Sequence, residues 1–306
     1  MEKLSVIICT YNPKQFVFQQ CLDAISAAAV QQAPFEIIIV DNNSQPSLLE
    51  QEYISRFLKQ QANARVVIAQ KQGLTPARLK GIEEAKGDLL LYIDDDNIIR
   101  EDFFLKGIDI ADRNQHIGAW SGQVKLVFEK EPEAWTRRYW GMLVYREFNE
   151  DKWSNFPHFS ETMPCGAGLF VRKKVADYYY ALHRDGQRPV QLDRSGNSLL
   201  SAGDNDLAAC ACDIGLGVGL FSAIYLQHYI PASRVTKEYL LRLAEGITAS
   251  SIVFKSFRGE MPAPLTVKNR LANMIRMMLQ SSIDKQFYKA ILRGERTGKA
   301  ILDNGQ

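Results

Sequence analysis

Three consecutive carboxylates, Asp94, Asp95 and Asp96, have the clearest capacity for chemistry in this chain. They directly follow the apolar run 89–93, which predicts a buried strand. In open α/β sheets, ligands bind beyond the carboxyl ends of the strands. Carboxylates crowded there repel one another unless a cation neutralises them, and oxygen ligands suit hard divalent ions such as Mn²⁺ or Mg²⁺. The alternative is a solvated turn or helix N-terminus, where acidic residues are also favoured.

The predicted elements around these acids alternate between strand and helix. The predicted strands cover residues 4–9, 36–40, 65–69 and 89–93, and the predicted helices cover 15–29, 47–61 and 75–85. In the helices, we expect Phe16 to face the core and Thr75 to be the N-cap before Pro76. Such alternation predicts a mostly parallel, doubly wound sheet covered on both faces.

The second half of the chain has a less regular pattern. Predicted helices cover 102–113, 173–183 and 204–213, and predicted strands cover 119–128, 166–171 and 226–229. Residues 132–160 are rich in aromatic side chains and arginine, and residues 185–201 form a polar loop. From residue 236 onward the pattern is mostly helical.

Polar side chains also follow the first two strands. Thr10, Tyr11 and Asn12 follow the first, and Asp41 and Asn43 follow the second. Neighbouring strand ends of this kind form a crevice suited to a nucleotide, where Asp41 could accept a hydrogen bond from a base N–H. An equal alternative for Asp41 is to cap a turn. The chain has neither GxGxxG nor GxxxxGK[ST], so a metal at the acids, rather than a glycine-rich loop, must hold the phosphates.

Composition excludes several classes of protein. The 306 residues carry a net charge of +2, with 24% charged and 46% hydrophobic residues, which is an ordinary globular balance without a nucleic-acid signature. The five cysteines lack metal-site spacing, so we expect free thiols. No apolar run reaches the roughly 18–20 residues of a bilayer-spanning helix. With no leader-like segment at Met1, a cytoplasmic location is expected.

Four sequence blocks together resemble family 2 glycosyltransferases of GT-A fold. They read SVIICTYN over residues 5–12, EIIIVDNNS over 36–44, GLTPAR over 73–78 and AKGDLLLYIDDD over 85–96. The resemblance extends to about residue 235. It implies a Rossmann-like sheet flanked by helices, in a domain 1–235 with a nucleotide-binding half (1–100) and an acceptor-binding half (101–235). A helical C-terminal extension would follow over 236–306.

The resemblance assigns roles around the donor nucleotide. Thr10, Tyr11 and Asn12 would line the base and ribose site, with Asp41 and Asn43 at the base. In the same way, the donor site would include Arg78, although Leu79 replaces the asparagine that usually follows this arginine.

The acids match the family's D-x-D motif. Asp94 would lie near the ribose and the metal, Asp96 would bind the metal, and Asp95 would share either task. A late histidine is a further metal ligand in some GT-A enzymes, which makes His228 a candidate, and Arg234 could meet the diphosphate. The alternative for this pair is a structural histidine and a solvated cation.

Two further segments resemble the acceptor side of the family. PCGAGLFVR over residues 164–172 resembles the floor of the acceptor site, where Gly166 would let the backbone approach a sugar. GDNDL over 203–207 resembles the motif that carries the catalytic base, which assigns the base to Asp204. Gly203 departs from the glutamate that the family has there, and Asp206 is the fallback candidate for the base.

The C-terminal segment 268–302 is predicted to be a basic, amphipathic helix. Its apolar stripe consists of Leu271, Ile275, Met278 and Leu279. Such a stripe could lie on the inner membrane, pack on the sheet or form a homodimer.

The resemblance implies a metal-dependent, inverting transfer of a sugar from a nucleotide-diphosphate sugar, with UDP favoured. The acceptor would be a hydroxyl of a glycan or a lipid-linked molecule, in the synthesis of a cell-surface polysaccharide. Two alternatives stay open. The first is a catalytically silent scaffold subunit that binds the nucleotide sugar, because Gly203 weakens the motif of the base. The second is a sugar nucleotidyltransferase, although the expected basic, glycine-rich loop is missing after the first strand.

Overall fold

The computed structural model describes residues 3–29, 35–158, 160–194, 196, 200–261 and 281–304. Its strands are β1 (Leu4–Thr10), β2 (Phe35–Asp41), β3 (Ala64–Ile68), β4 (Leu89–Asp94), β5 (Asn97–Ile99), β6 (Ile117–Phe128), β7 (Lys152–Ser154), β8 (Leu169–Arg172) and β9 (Gly217–Ile230). Its α-helices are α1 (Gln15–Ala29), α2 (Glu52–Gln60), α3 (Leu74–Glu84), α4 (Phe103–Arg113), α5 (Lys173–Arg184), α6 (Gly203–Asp213), α7 (Lys237–Ser256) and α8 (Ser282–Asn304). Short 3₁₀ helices cover Leu48–Glu50, Ala134–Leu143 and Ala232–Val235.

All of these strands belong to one sheet. Its order is β3-β2-β1-β4-β8-β6-β9-β5, with β7 paired to β9. The first four strands in this order are parallel, whereas β8 runs antiparallel to both β4 and β6. Helices cover the sheet, so the predicted α/β fold with a mostly parallel sheet is confirmed. The parallel strands all end at the edge where the three aspartates lie.

The core lies on both faces of the sheet, which explains the continuous apolar runs of the central strands. Leu4, Val6 and Ile8 of β1 pack into one cluster, while Ile7, between them, packs into the cluster on the opposite face. In the second half, the buried ring of Trp120 stacks on Phe170 with centroids 5.5 Å apart.

Three local predictions were wrong. Phe16 does not face the core, because its side chain is 71% exposed at the first turn of α1. The predicted helix 47–61 is divided, because Gln51 has extended backbone angles between the 3₁₀ turn and α2. Thr75 is not an N-cap. It lies inside α3, which begins after Gly73, and its hydroxyl bonds elsewhere.

The C-terminal strand is longer than predicted. The apolar pattern indicated only 226–229, whereas β9 begins at Gly217. Two glycines near its start weaken the strand signal, and both are closely packed by their neighbours. A Cβ on Gly219 would lie 3.0 Å from the ring of Phe221.

The C-terminal helices pack on the rest of the fold. Phe287 of α8 is buried, and its ring stacks on Tyr139 with centroids 3.7 Å apart. No helix in the described ranges is long and apolar enough to cross a membrane. The predicted stripe in 271–279 lies outside the described residues, so membrane contact, dimer formation and the domain boundary at 235 stay predictions.

Glu36 is a buried carboxylate at the start of β2 that joins three segments. It accepts hydrogen bonds from Ser5 Oγ at 2.7 Å, Arg65 Nη1 at 2.6 Å and the Lys86 amide at 2.6 Å. Burial alone would raise the pKa of Glu36, but the bonds from Ser5 and Arg65 outweigh it and hold the pKa below its ordinary value.

We expect Glu36→Gln to lower the free energy of unfolding at pH 7 by about 2 kcal/mol, because it removes hydrogen bonds to a charged group. The ionised form adds stability above the pKa of the unfolded chain, and that stability is lost as the pH falls through the folded pKa. In urea melts, the difference in the free energy of unfolding between wild type and Glu36→Gln should therefore narrow below about pH 4.3. Glu52→Gln, at a side chain that is 91% exposed, is the control. A gap that does not change with pH would contradict this role of Glu36.

Candidate active site

One cavity of about 340 Å³ lies beyond the carboxyl end of β4. It is bounded by the end of β4, the start of α6, the end of β9 and the loop before β8. Among its lining residues are the predicted site residues Arg78, Asp94, Asp95, Asp96, Gly166, Asp204, His228 and Arg234. Residues predicted for the donor, the metal and the base therefore share one cleft.

Asp96 is the centre of the acid end of this cleft. Its Oδ2 lies 3.0 Å from Arg234 Nη1, and its Oδ1 lies 3.4 Å from His228 Nε2. Asn97 also donates to Asp96 Oδ1 at 3.2 Å. The contact with His228 follows from the sheet, because β5 pairs antiparallel to β9 with Asn97 opposite His228.

The three acids differ in charge state. Burial, followed by repulsion from Asp96, raises the pKa of Asp94. Burial and the same repulsion raise the pKa of Asp95 to about 7, and the hydroxyl of Thr10 donates to Asp95 Oδ2. Burial also opposes the charge on Asp96, but the attraction of His228 and Arg234 outweighs it and lowers the pKa to about 2. The cations of the cleft therefore stabilise the charge of Asp96, whereas the surroundings of Asp94 and Asp95 disfavour a charge on either of them.

The donor set at Asp96 fits a divalent metal ion. His228 Nδ1 lies 3.2 Å from the carbonyl oxygen of Leu143, which can only accept, so Nδ1 carries the proton. In the neutral ring, Nε2 is then an acceptor facing the acceptor Asp96 Oδ1, and only a proton or a cation satisfies both. A backbone carbonyl on the other ring nitrogen is the usual arrangement of a metal-binding histidine.

The described residues do not form a complete metal site by themselves. Within these ranges, no three His, Cys, Asp or Glu side chains come together in a metal-binding group. Mg²⁺ commonly takes only one or two protein carboxylates and completes its shell with water and substrate phosphates. The pair Asp96 and His228 therefore fits an ion that the phosphates of a ligand complete.

Asp204 lines the same cleft from the first turn of α6. Its Oδ2 accepts from the Gly166 amide at 2.5 Å, and its Oδ1 accepts from the Asn205 amide at 2.9 Å. A Cβ on Gly166 would lie 3.0 Å from Asp204 Oδ2, so a glycine at 166 lets the backbone approach the carboxylate. The Asn205 side chain donates to the Pro164 carbonyl at 3.2 Å and ties α6 to the same loop. Both carboxylate oxygens are thus oriented by backbone.

Asp206, the fallback for the base, has a different role. Its carboxylate pairs with Arg188 at 2.7 Å and with Arg258 at 2.8 Å, and its side chain is buried. It therefore joins α6 to the loop after α5 and to the end of α7.

Two of the predicted nucleotide residues do not reach the cleft. Asp41 is 1% exposed, and its oxygens accept from the amides of Ser44 at 2.9 Å and Leu48 at 3.0 Å. The structure thus gives Asp41 the capping alternative, and its contact with a base stays a prediction. Asn43 is exposed with a φ of 64°, away from the described cavities around the site.

The residues after β1 line two smaller cavities beside the acids. Thr10 and Tyr11 border one of about 290 Å³, together with Asp95 and Arg194. Asn12 borders another of about 170 Å³, and its side chain also accepts from the Gln45 amide at 2.8 Å. These cavities continue the cleft along the end of the sheet.

Sequence reasoning missed several residues of the site. Asn42 shapes the wall of the smaller cavity, because it accepts from the Gly73 amide at 2.7 Å and donates to the Lys71 carbonyl at 2.8 Å. Arg194 lines both the central cavity and the 290 Å³ cavity. Asp193 pairs with Arg78, with Nη1 at 2.7 and 2.8 Å from its two oxygens. The two loop residues lie in a polar segment without periodicity, so only the fold shows their partners.

Comparisons with known proteins agree with this geometry. Residues 5–178, more than half of the chain, match the model of "Glycosyl transferase family 2". The chain is similar to glycosyltransferase AglE of Haloferax volcanii, with 30% identity over 34% of each chain. It is also similar to the poly(ribitol-phosphate) beta-glucosyltransferase of Bacillus spizizenii, with 28% identity over 37% of this chain. The chain spans only 34% and 18% of the lengths of these two relatives.

Solved structures share the fold. The mannosyltransferase PcManGT from Pyrobaculum calidifontis, in complex with GDP-Man and Mn²⁺, superposes with a TM-score of 0.58 at 15% identity, over 99% of this chain and 79% of that one. S. aureus TarS 1–349 in complex with UDP superposes with a TM-score of 0.51 at 15% identity, over 99% and 92%. The family match and the shared fold lead to one conclusion: this chain belongs to glycosyl transferase family 2.

Proposed function

We propose that this glycosyltransferase moves a sugar from a nucleotide-diphosphate sugar to an acceptor hydroxyl, with inversion at the anomeric carbon. One observation carries the proposal: Asp204 lines the same cleft as Asp96, His228 and Arg234, which contact one another. A donor whose diphosphate lies at the acid end would place its sugar between the two groups. UDP is the first candidate for the nucleotide. GDP is the second, because PcManGT was solved with GDP-Man.

The acid end is suited to the diphosphate. Asp96 and His228 would hold Mn²⁺ or Mg²⁺, which when bound stabilises negative charge on the leaving phosphate as a Lewis acid. Arg234 is a second cation at the same place, and it can turn from Asp96 to a phosphate once Asp96 has another partner. Thr10 and Asp95 lie where the nucleoside would enter.

The opposite end is suited to general base catalysis. Asp204 would take the proton of the acceptor hydroxyl as its oxygen bonds to the anomeric carbon and the bond from that carbon to the phosphate oxygen breaks. The electron pair of the broken bond leaves with the nucleoside diphosphate. A carboxylate within hydrogen-bond reach contributes typically about 10²–10⁴-fold. Attack from the face opposite the leaving group inverts the configuration.

A covalent intermediate on a cysteine is disfavoured by the thiols of the site. Cys9 lines the cleft, but burial raises its pKa to about 12, which keeps the thiol protonated. Burial also raises the pKa of Cys165 beside Gly166. Both are free thiols, as the sequence predicted, and neither is activated as a nucleophile.

The acceptor would enter beside Asp204. A cavity of about 220 Å³ adjoins the cleft through Arg146 and Asn205, and His158 and Lys255 border its outer part. The cations Arg146 and Lys255 there suit a glycan or lipid-linked acceptor that carries phosphate. The name of the Bacillus spizizenii relative, poly(ribitol-phosphate) beta-glucosyltransferase, fits that class. We therefore place the enzyme in the synthesis of a cell-surface polysaccharide.

We expect Asp204→Asn to lower the rate of transfer by about 10²–10⁴-fold, because the amide cannot take the proton. Binding of the donor nucleotide should stay close to that of wild type, because backbone amides hold Asp204, whereas Asp96, His228 and Arg234 contact one another. Transfer is measured with radiolabelled UDP and GDP sugars, and nucleotide binding by calorimetry with Mn²⁺. The anomeric proton coupling of the product, measured by NMR, should show inversion.

Asp177→Asn, at an exposed aspartate on α5, is the matched control and should keep full activity. Turnover by Asp204→Asn equal to wild type would refute the assignment of the base. A product with retained configuration would refute the single displacement.

We expect Asp96→Asn to remove the Mn²⁺-dependent part of nucleotide binding. In wild type, a nucleotide at a hundred times its Kd stabilises the folded state by about 2.7 kcal/mol. In thermal melts with UDP or GDP, wild type should show this stabilisation with Mn²⁺ and little of it without Mn²⁺. The melting temperature of Asp96→Asn with the nucleotide should be the same with and without Mn²⁺. Asp109→Asn, at an exposed ion pair on α4, is the control. Stabilisation of the variant equal to that of wild type would exclude Asp96 as a metal ligand.

A further inference from the structure

Gly203 lies directly against a carboxylate from another part of the chain. A Cβ atom on residue 203 would be 2.1 Å from Asp193 Oδ2 and 2.3 Å from its Cγ, far inside contact distance. Asp193 belongs to the loop between α5 and α6, and its side chain is 4% exposed. The side chain of Asp193 therefore occupies the volume that any side chain on residue 203 would need.

Asp193 attaches this loop to the N-terminal turn of α3. Its carboxylate accepts two hydrogen bonds from Arg78 Nη1 and one from Thr75 Oγ1 at 2.8 Å. A backbone hydrogen bond also connects this loop to α3, since the Leu74 amide donates to the Arg194 carbonyl at 3.4 Å. The ion pair is buried on both sides, so losing one partner would leave an uncompensated charge.

Arg78 links this pair to the catalytic end of the cleft. The Cβ position of Gly166 lies 3.2 Å from Arg78 Nη2 and 3.0 Å from Asp204 Oδ2, so both groups lie against Gly166. Burial opposes the charge on Arg78, but Asp193 and then Asp204 hold its pKa above the usual range. Arg78 is thus a permanent cation between Asp193 and Asp204.

The position of Asp204 depends on which carboxylate Arg78 binds. A guanidinium that pairs directly with a carboxylate fixes the geometry of both groups. With Asp193 present, the two shortest bonds of Arg78 go to Asp193. Without it, the nearest carboxylate left for the guanidinium is the base itself, and its geometry would shift.

We propose that Asp193 is a positioning residue for the transfer reaction, supplying from the loop the carboxylate that residue 203 lacks. Gly203 is necessary for this arrangement, because only a glycine at this position leaves room for the side chain of Asp193. The proposal rests on the proposed function, in which Asp204 is the base. It also gives a physical reason for the departure from the family motif at Gly203, which had suggested a silent scaffold.

The test removes the carboxylate of residue 193 and places one on residue 203 instead. Asp193→Ala should lower kcat by about 100-fold, since a misplacement of about 1 Å can cost that much, while the KM for the donor changes little. In this background, Gly203→Glu should recover at least a tenth of the lost rate. The isosteric Gly203→Gln should recover none, because it fills the same space without charge. Asp185→Ala, an exposed aspartate at the end of α5, is the control for the loop.

Two results would overturn the proposal. One is a wild-type kcat for Asp193→Ala, and the other is equal recovery by the Glu and Gln double variants. If Asp193→Ala does not fold, Asp193→Asn keeps the shape and the bond to Thr75, and it should show the same loss of kcat. Wild-type kcat in that variant would count against the proposal equally.

A melting experiment separates this proposal from the proposed function. Gly203→Ala should lower the melting temperature in wild type and leave it unchanged in the Asp193→Ala background, whatever the enzyme transfers. If Gly203→Ala lowered the melting temperature equally in both backgrounds, the side chains of residues 193 and 203 would not compete for the same space, and this part of the proposal would be refuted. If wild type turns over no donor while this pattern holds, the proposed function fails and the geometric part stands.

Discussion

The crowding of three adjacent, partly buried carboxylates at the end of β4 is the constraint on which the rest of the site depends. Asp94, Asp95 and Asp96 are not neutralised by their own strand, and the positive groups come from β9 and the turn after it. The sheet has to bring β9 beside β5 for His228 to reach Asp96. The long C-terminal strand therefore has a direct electrostatic function.

The two ends of the cleft are stabilised in different ways. At the acid end, side-chain charges oppose one another, which leaves a place for a cation and a phosphate. At the other end, backbone amides of residues 166 and 205 hold Asp204, and Arg78, which Asp193 fixes, lies against the same glycine at 166. A base that accepts a proton and a site that attracts a metal need these opposite environments.

The sequence predicted well what local patterns encode and poorly what distant contacts decide. The parallel strands and the helix 15–29 follow from apolar periodicity, and the acids follow from their place after a strand. Asp41 is an instructive case, because a carboxylate after a strand suits both a base contact and a turn cap, and only the amides of residues 44 and 48 distinguish them. Asp193 could not be predicted, since its partner Arg78 is 115 residues away and its loop has no pattern.

The most direct test of the account is a titration of Mn²⁺, followed by electron paramagnetic resonance, with and without UDP or GDP. In the proposed function, Asp96 and His228 form a site that the diphosphate completes. Mn²⁺ should therefore bind weakly to the protein alone and tightly, in a 1:1:1 complex, when the correct nucleotide is present. Binding of equal strength with and without any nucleotide, or none in either case, would contradict it.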